Sequence, residues 1–277
     1  MPSAVIQQRK SIFADFGQMS IDALSYVGGL TLFILRTLGW MIRRMPRSEN
    51  LLPCFYEVGI RSLPVVAITG TFIGMVLAVQ TFYQFSTLGL ESRLGAVINM
   101  SLVRELGPVL AATMLAGRVG SSMAAQLGTM RVTEQIDALS SMGASPMQHL
   151  VVPRFLACVI MIPVMTIVAD FMGVVGGYLY SVNGFGIDRH FYWYNSAQFI
   201  SSWDFINGVI KSFFFGATIA MVSCYRGFHC KPGAEGVGNA ATAAFVHSFV
   251  LILVIDFILN VSMDSFFDLI RSTGVFG

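Results

Sequence analysis

Two stretches, L-V-R-E-L-G-P-V at 102–109 and R-V-T-E-Q-I-D-A-L-S-S-M-G-A-S-P at 131–146, decide how this chain is read. Both belong to a polar, small-residue region, Leu102 to Arg154, that interrupts an otherwise apolar sequence and ends in V-V-P-R at 151–154. The first places Arg104 and Glu105 among residues that belong in lipid. A charge at mid-bilayer costs about 2.5–3.5 kcal/mol on insertion scales, so both must be compensated. The second carries Ile136, Leu139 and Met142 on one stripe of an expected amphipathic helix over Met130–Met142. Glu134, Gln135 and Asp137 lie on the other side, and Gly143 and Pro146 close it.

Outward from this region the composition sets the class. Of 277 residues, 55% are hydrophobic and only 12% charged, against about 25% charged in soluble domains. The mean hydropathy is +0.70. Several apolar runs reach the roughly 20 residues that an α-helix needs to span the hydrocarbon core, and the alternating ten-residue segments of an outer-membrane barrel are absent. The expectation is an all-α integral membrane protein. The four cysteines, Cys54, Cys158, Cys224 and Cys230, show no metal-type spacing and read as small hydrophobes. No cleavable signal is evident before the first apolar stretch.

Five segments read as spans: Leu63–Phe85, Gly95–Gly117, Phe155–Tyr180, Phe205–Cys224 and Ala243–Val261. The first contains Gly70 and Gly74 as a G-x-x-x-G pair, which permits close helix approach. The fourth contains Lys211 near its start, where a long side chain can snorkel to the interface. A sixth apolar stretch, Ile21–Ile42, has Arg9 and Lys10 before it, Arg43, Arg44 and Arg47 after it and Arg36 within it. Positive charge on both flanks argues against crossing, so it is expected as an amphipathic helix in the cytoplasmic interface. Residues 1–50 then form an N-terminal cytoplasmic segment and 51–277 one membrane domain. With the N-terminus inside, Arg118, Arg131, Arg154, Arg226 and Lys231 fall on the cytoplasmic side, and Arg93, Arg189 and Arg271 outside. The aromatic run F-Y-W-Y at 191–194 reads as an external interfacial helix.

Adjacent helix positions point about 100° apart, so Arg104 and Glu105 are not expected to form a simple mutual ion pair. Each is expected to meet another helix, a headgroup or a water-filled cavity, and Pro108 to bend the helix beside them. The segment around Ile136 reads either as a docking helix for a soluble partner or as an ordinary loop.

A resemblance weights these readings. The blocks G-T-F-I-G-M-V-L-A-V-Q (70–80), L-V-R-E-L-G-P-V (102–109), A-G-R-V-G-S-S-M-A-A-Q-L-G-T-M-R-V-T-E-Q-I-D-A-L (116–139) and V-P-R (152–154) resemble the MlaE-type permease family of ATP-binding-cassette lipid transporters, over about Ser62 to Asn260. The resemblance implies a homodimeric permease of the bacterial inner membrane, bound to a cytoplasmic ABC ATPase and a periplasmic MCE-domain protein, with phospholipid as cargo and no nucleic acid. It implies that Glu134, Gln135, Ile136, Asp137, Ala138 and Leu139 form the helix that couples to the ATPase. It also implies that Arg104 and Glu105 lie at the lipid path, lined by Gly70, Gly74, Leu77 and Thr81 of the first span together with the fifth. The turn at 228–240, with His229, Cys230 and Lys231, departs from the family pattern.

The chain has no G-x-x-x-x-G-K-[ST] phosphate loop, so it is read as a permease rather than an enzyme. No cofactor of its own is expected, ATP being bound by the partner. Two other classes draw on the same polar residues. An intramembrane enzyme would draw on Ser121, Ser122, His247, Asp170 or Asp256, which lie on different spans without a nucleophile motif. An ion-coupled secondary transporter of a hydrophobic substrate would use Glu105 and Asp170 as a proton relay.

Overall fold

The computed structural model describes residues 12–43, 48–90 and 93–272. Of the basic residues flanking the first apolar stretch, Arg9, Lys10, Arg44 and Arg47 lie outside them. The described residues contain helices and no strand. In chain order these are α1 (Ile12–Arg43), α2 (Ser48–Phe55), α3 (Leu63–Ser86), α4 (Leu94–Ser101), α5 (Gly107–Leu115), α6 (Ser121–Val132), α7 (Gln135–Ser141), α8 (Val152–Phe185), α9 (Arg189–Phe199), α10 (Ser202–Phe228) and α11 (Ala234–Ser272). Four π-helical segments, Tyr56–Ile60, Leu102–Leu106, Ala116–Gly120 and Met147–Val151, join α2 towards α3, α4 to α5, α5 to α6, and α7 towards α8.

Six helical runs are long and apolar enough to cross a membrane: Leu24–Ile42, Ser48–Ser86, Leu94–Val132, Met147–Phe185, Ser202–Phe228 and Ala234–Met263. The all-α membrane class therefore stands, and the expected count of five is approximate because Leu24–Ile42 also qualifies. That helix is anchored by Tyr26 and Phe33, whose rings lie 5.4 and 5.7 Å from Tyr225 near the end of α10. The second expected span is longer than its apolar core, running to Val132. Its continuation A-G-R-V-G-S-S-M-A-A-Q-L-G-T-M has no proline, and its small residues let α6 pack against α10 and α11.

The seam between α3 and α8 shows why the glycines are where they are. A Cβ on Gly70 would lie 2.7 Å from the Ala169 carbonyl oxygen, and one on Gly74 or Gly176 would overlap the backbone of Gly173 or Thr71. Backbone meets backbone along two helices, the close approach that van der Waals packing between spans in lipid exploits. Pro163 sits inside α8.

Half or more of the Ser202–Phe228 and Leu94–Val132 runs is buried, against 17% of Ala234–Met263. Thus α10 is central, whereas α11 presents Phe249, Val250, Phe257 and Ile258 outward. On the side assigned to the exterior, α9 is capped by Asp188, whose Oδ1 accepts from the His190 and Phe191 amides at 2.7 and 3.4 Å. Tyr192 is buried and donates to Asn99 Oδ1 at 3.3 Å. Burial pushes its phenol up to about 12, against the opposing pull of that hydrogen bond. Phe191, Trp193 and Tyr194 remain exposed, as a helix at headgroup level requires.

Candidate functional site

Three helices bring charge together inside the apolar bundle. Lys211 of α10, with no exposed side-chain surface, reaches Glu105 Oε2 at 3.1 Å and Asp256 Oδ1 at 3.5 Å. Its Nζ also donates to Asn260 Oδ1 and, at 3.4 Å, to the Arg104 carbonyl. Asn260 of α11 in turn donates to Glu105 Oε2 at 2.9 Å and to Asp256 Oδ2 at 3.3 Å. Arg104 contacts Glu105 at 3.6 Å and Asp204 Oδ1 at 3.8 Å. Asp204 also completes the capping box of α10, accepting from the Ser201 amide at 3.0 Å. A buried ammonium is tolerable only when its three donors are met by charged or strongly polar acceptors, and this arrangement supplies them.

Two expectations are corrected here. Arg104 and Glu105 do contact each other, because both sit in the π-helical Leu102–Leu106 segment, where i→i+5 bonding changes the angle between successive side chains. Each also reaches another helix, as expected. Lys211 does not snorkel to the interface. It lies nine residues into α10, roughly 13 Å along the axis, too deep for its side chain to reach the surface.

The network is buried on one side and open on the other: Arg104 and Glu105 side chains retain 29% and 35% exposure while Lys211 retains none. Polar groups are therefore available to a ligand from outside the chain. Of the residues expected to line a lipid path, Gly70 and Gly74 are buried where α3 meets α8, and Gly70 also borders a small crevice with Leu102, Gly107 and Leu110. Leu77 is half-buried against Ala78, Leu94 and Ile98, and Thr81 is half-buried one turn further along α3. Asp170 is not joined to the network. It is buried on α8, with its Oδ1 packed over Gly107 and without a hydrogen-bond partner.

A second polar network lies towards the end of the bundle that bears α7. Gln126 Nε2 donates to Glu57 Oε1 at 2.8 Å, and Arg154 Nη2 donates to Gln126 Oε1 at 3.3 Å. Arg118 donates to Ser62 Oγ and to the Glu57 carbonyl. Glu57, Arg118 and the Leu150 carbonyl that Arg154 binds each belong to a different π-helical segment. Sequence reasoning singled out none of these residues for this role, although Arg118, Gln126 and Arg154 stood within its motif blocks.

The expected helix over Met130–Met142 is two pieces. Glu134 adopts φ +60°, the left-handed region, and separates α6 from the short α7. It is the only non-glycine with positive φ among the described residues, a conformation that costs roughly 1–2 kcal/mol. Glu134, Gln135, Asp137, Ala138 and Met142 are exposed, Leu139 is half-buried and Ile136 is buried. Arg131 and Asp137 pair at 2.5 Å across the break. Ile136 thus anchors α7 to its own chain, and the surface offered outward is Gln135, Ala138 and Met142 with the flanking acids.

The candidate enzyme groups go to separate partners. Ser121 donates to the Ala241 carbonyl, Ser122 to Glu57, and His247 contacts Arg226. Cys158 and Cys224 are buried; Cys54 and Cys230 are half-buried. The Cys230 thiol, in the α10–α11 turn, is raised by desolvation.

A polytopic helical bundle with a partly open charge network inside it and an exposed helical connection at one end is the architecture of an integral membrane protein. The family described as Permease MlaE matches residues 51–262. A probable ABC transporter permease of Rickettsia conorii is 40% identical over 244 residues, covering 88% of this chain and 94% of the relative. The intermembrane phospholipid transport system permease protein MlaE of Haemophilus influenzae is 37% identical over 209 residues, 75% of this chain and 80% of that one. A probable ABC transporter permease of Synechocystis is 38% identical over 243 residues, 88% and 90% of the two chains. The chain belongs to the MlaE permease family, and it is a multi-pass protein of the inner membrane.

Proposed function

We propose that this chain is the permease subunit of an ABC transporter that moves phospholipid between inner and outer membranes, driven by a separate cytoplasmic ATPase. The observation that carries the reading is the network at Arg104, Glu105, Lys211, Asp256 and Asn260, anchored by a buried lysine yet open at Arg104 and Glu105. A phospholipid presents a phosphate and an apolar body. Arg104 offers the phosphate a planar donor fork, and the outward apolar face of α11, beside Asp256 and Asn260, offers the body a surface. The same face would pair with a second copy, so that the two networks flank one path in a homodimer. An MCE-domain protein would receive or deliver lipid on the periplasmic side.

The ATPase would dock on α7. Movement there would reach the membrane through Gln126 on α6, which bonds both Glu57 and Arg154 of α8 at the base of the bundle. A transporter must bind its cargo unequally in two states, because equal affinity shifts nothing. The π-helical segments carrying Glu57, Arg104 with Glu105, and Arg118 are where the helices would change register between such states. The test is affinity purification of the full chain in mild detergent, with mass spectrometry of the proteins and lipids recovered. An ATPase, an MCE-domain protein and phospholipid are the expected companions. The chain alone, reproducibly free of lipid, would overturn the reading and favour ion coupling.

A further inference from the structure

A second lipid-shaped feature lies away from the charge network, where α1 crosses α10 and α11. Arg226 of α10 donates to His247 Nε2 of α11 at 2.8 Å and stacks over the Tyr26 ring of α1 at 4.3 Å. His247 Nδ1 lies 2.5 Å from the Ala243 carbonyl, so Nδ1 carries the proton and Nε2 accepts. Among the described residues no carboxylate lies within ion-pair distance of Arg226. Arg226 Nε is buried without a hydrogen-bond partner. Buried donors of this kind call for an acceptor.

Each of the three helices turns apolar one turn away. Leu30, Val222 and Leu251, four residues from Tyr26, Arg226 and His247, line a cavity of ≈370 Å³ that is almost wholly apolar, together with Ile34, Met221 and Ile255. In the opposite direction, Arg226, His229, Lys231 and Asn239 line a polar cavity of ≈200 Å³ on the α10–α11 turn. Its lining holds no acid; Glu235 of the same turn is exposed and outside it. Along α11, Ala243, His247 and Leu251 run from the polar cavity to the apolar one in eight residues, about 12 Å.

We propose that this groove binds one anionic phospholipid of the cytoplasmic leaflet, with its phosphate at Arg226 and Lys231 and one acyl chain between α1, α10 and α11. The basic end stands at the cytoplasmic end of α10, at headgroup level, and the apolar end extends into the bilayer. This gives a function to His229 and Lys231, which the family pattern left unassigned.

The test is native mass spectrometry of the purified full chain in detergent, titrated separately with dioleoyl phosphatidylglycerol, dioleoyl phosphatidylcholine and sn-glycerol 3-phosphate. Phosphatidylglycerol is expected to bind most tightly. Arg226→Gln should weaken it about tenfold, the loss of one charge-assisted contact. Lys231→Gln, at an exposed position that cannot unfold the bundle, should weaken it in the same direction, and Ala217→Phe should do so by filling the apolar cavity. Phosphatidylglycerol affinity unchanged in both charge variants would overturn the proposal. So would glycerol phosphate binding as tightly as the lipid, which would mark a free-phosphate site. The transport reading is tested by co-purification and does not depend on this outcome.

Discussion

Replacing Lys211 with methionine is expected to destabilise the permease by about 3–5 kcal/mol, the typical cost of removing one partner from a buried ionic cluster. The substitution keeps the volume of the side chain and removes its charge, leaving Glu105 and Asp256 facing each other across Asn260 without a cation between them. Arg104 does not compensate, because it contacts Glu105 through Oε1 and is directed to Asp204. The thermal unfolding midpoint in detergent, read from tryptophan fluorescence, should fall, and the yield of folded protein with it. The triple variant Lys211→Met, Glu105→Gln, Asp256→Asn removes the charges together and should recover most of the stability while losing transport. A full loss of stability in the triple variant, equal to that of Lys211→Met alone, would show that packing rather than charge holds these helices.

The second large effect is expected at the cytoplasmic connection. Ala138→Trp places a bulky ring on the exposed side of α7 and should weaken docking of the ATPase by about 10–30-fold, the loss of a central contact in an interface. ATP-driven lipid transfer between proteoliposomes should fall in proportion, with the unfolding midpoint unchanged because Ala138 is exposed. Ile136→Asp is a different experiment: Ile136 is buried within its own chain, so that variant should unseat α7 and lower stability as well. Ala138→Trp with undiminished ATPase binding and transfer would remove α7 from the docking surface.

The sequence made some of this plain and hid the rest for identifiable reasons. Arg104 and Glu105 stood out because charge in an apolar run has one meaning in a bilayer. Gly70 and Gly74 read correctly as a packing pair, but what they pack against was hidden, since the carbonyls that occupy the place of their missing side chains belong to α8, about a hundred residues on. Lys211 was misread because its acceptors, Asp256 and Asn260, lie 45 and 49 residues later on another helix, and helical spacing alone cannot pair them. The contact between Arg104 and Glu105 depends on a π-helical turn that no residue type announces. Glu134 looked like the polar face of a continuous helix, and only its positive φ reveals the break.

The most direct test of the central claim, that lipid passes beside Arg104 and Glu105, is site-specific photocrosslinking from Ser101. This residue is exposed one helical turn from Glu105 and takes no part in the network's hydrogen bonds. With the crosslinker at Ser101 in the intact complex in proteoliposomes, a phospholipid adduct is predicted that grows in one nucleotide state of the ATPase and shrinks in the other. It should exceed the adduct formed from Phe72, a generally exposed position on α3, and fall when Arg104 is changed to glutamine. Adducts of equal yield at Ser101 and Phe72, indifferent to nucleotide and to Arg104, would contradict the account and leave the network as a structural device alone.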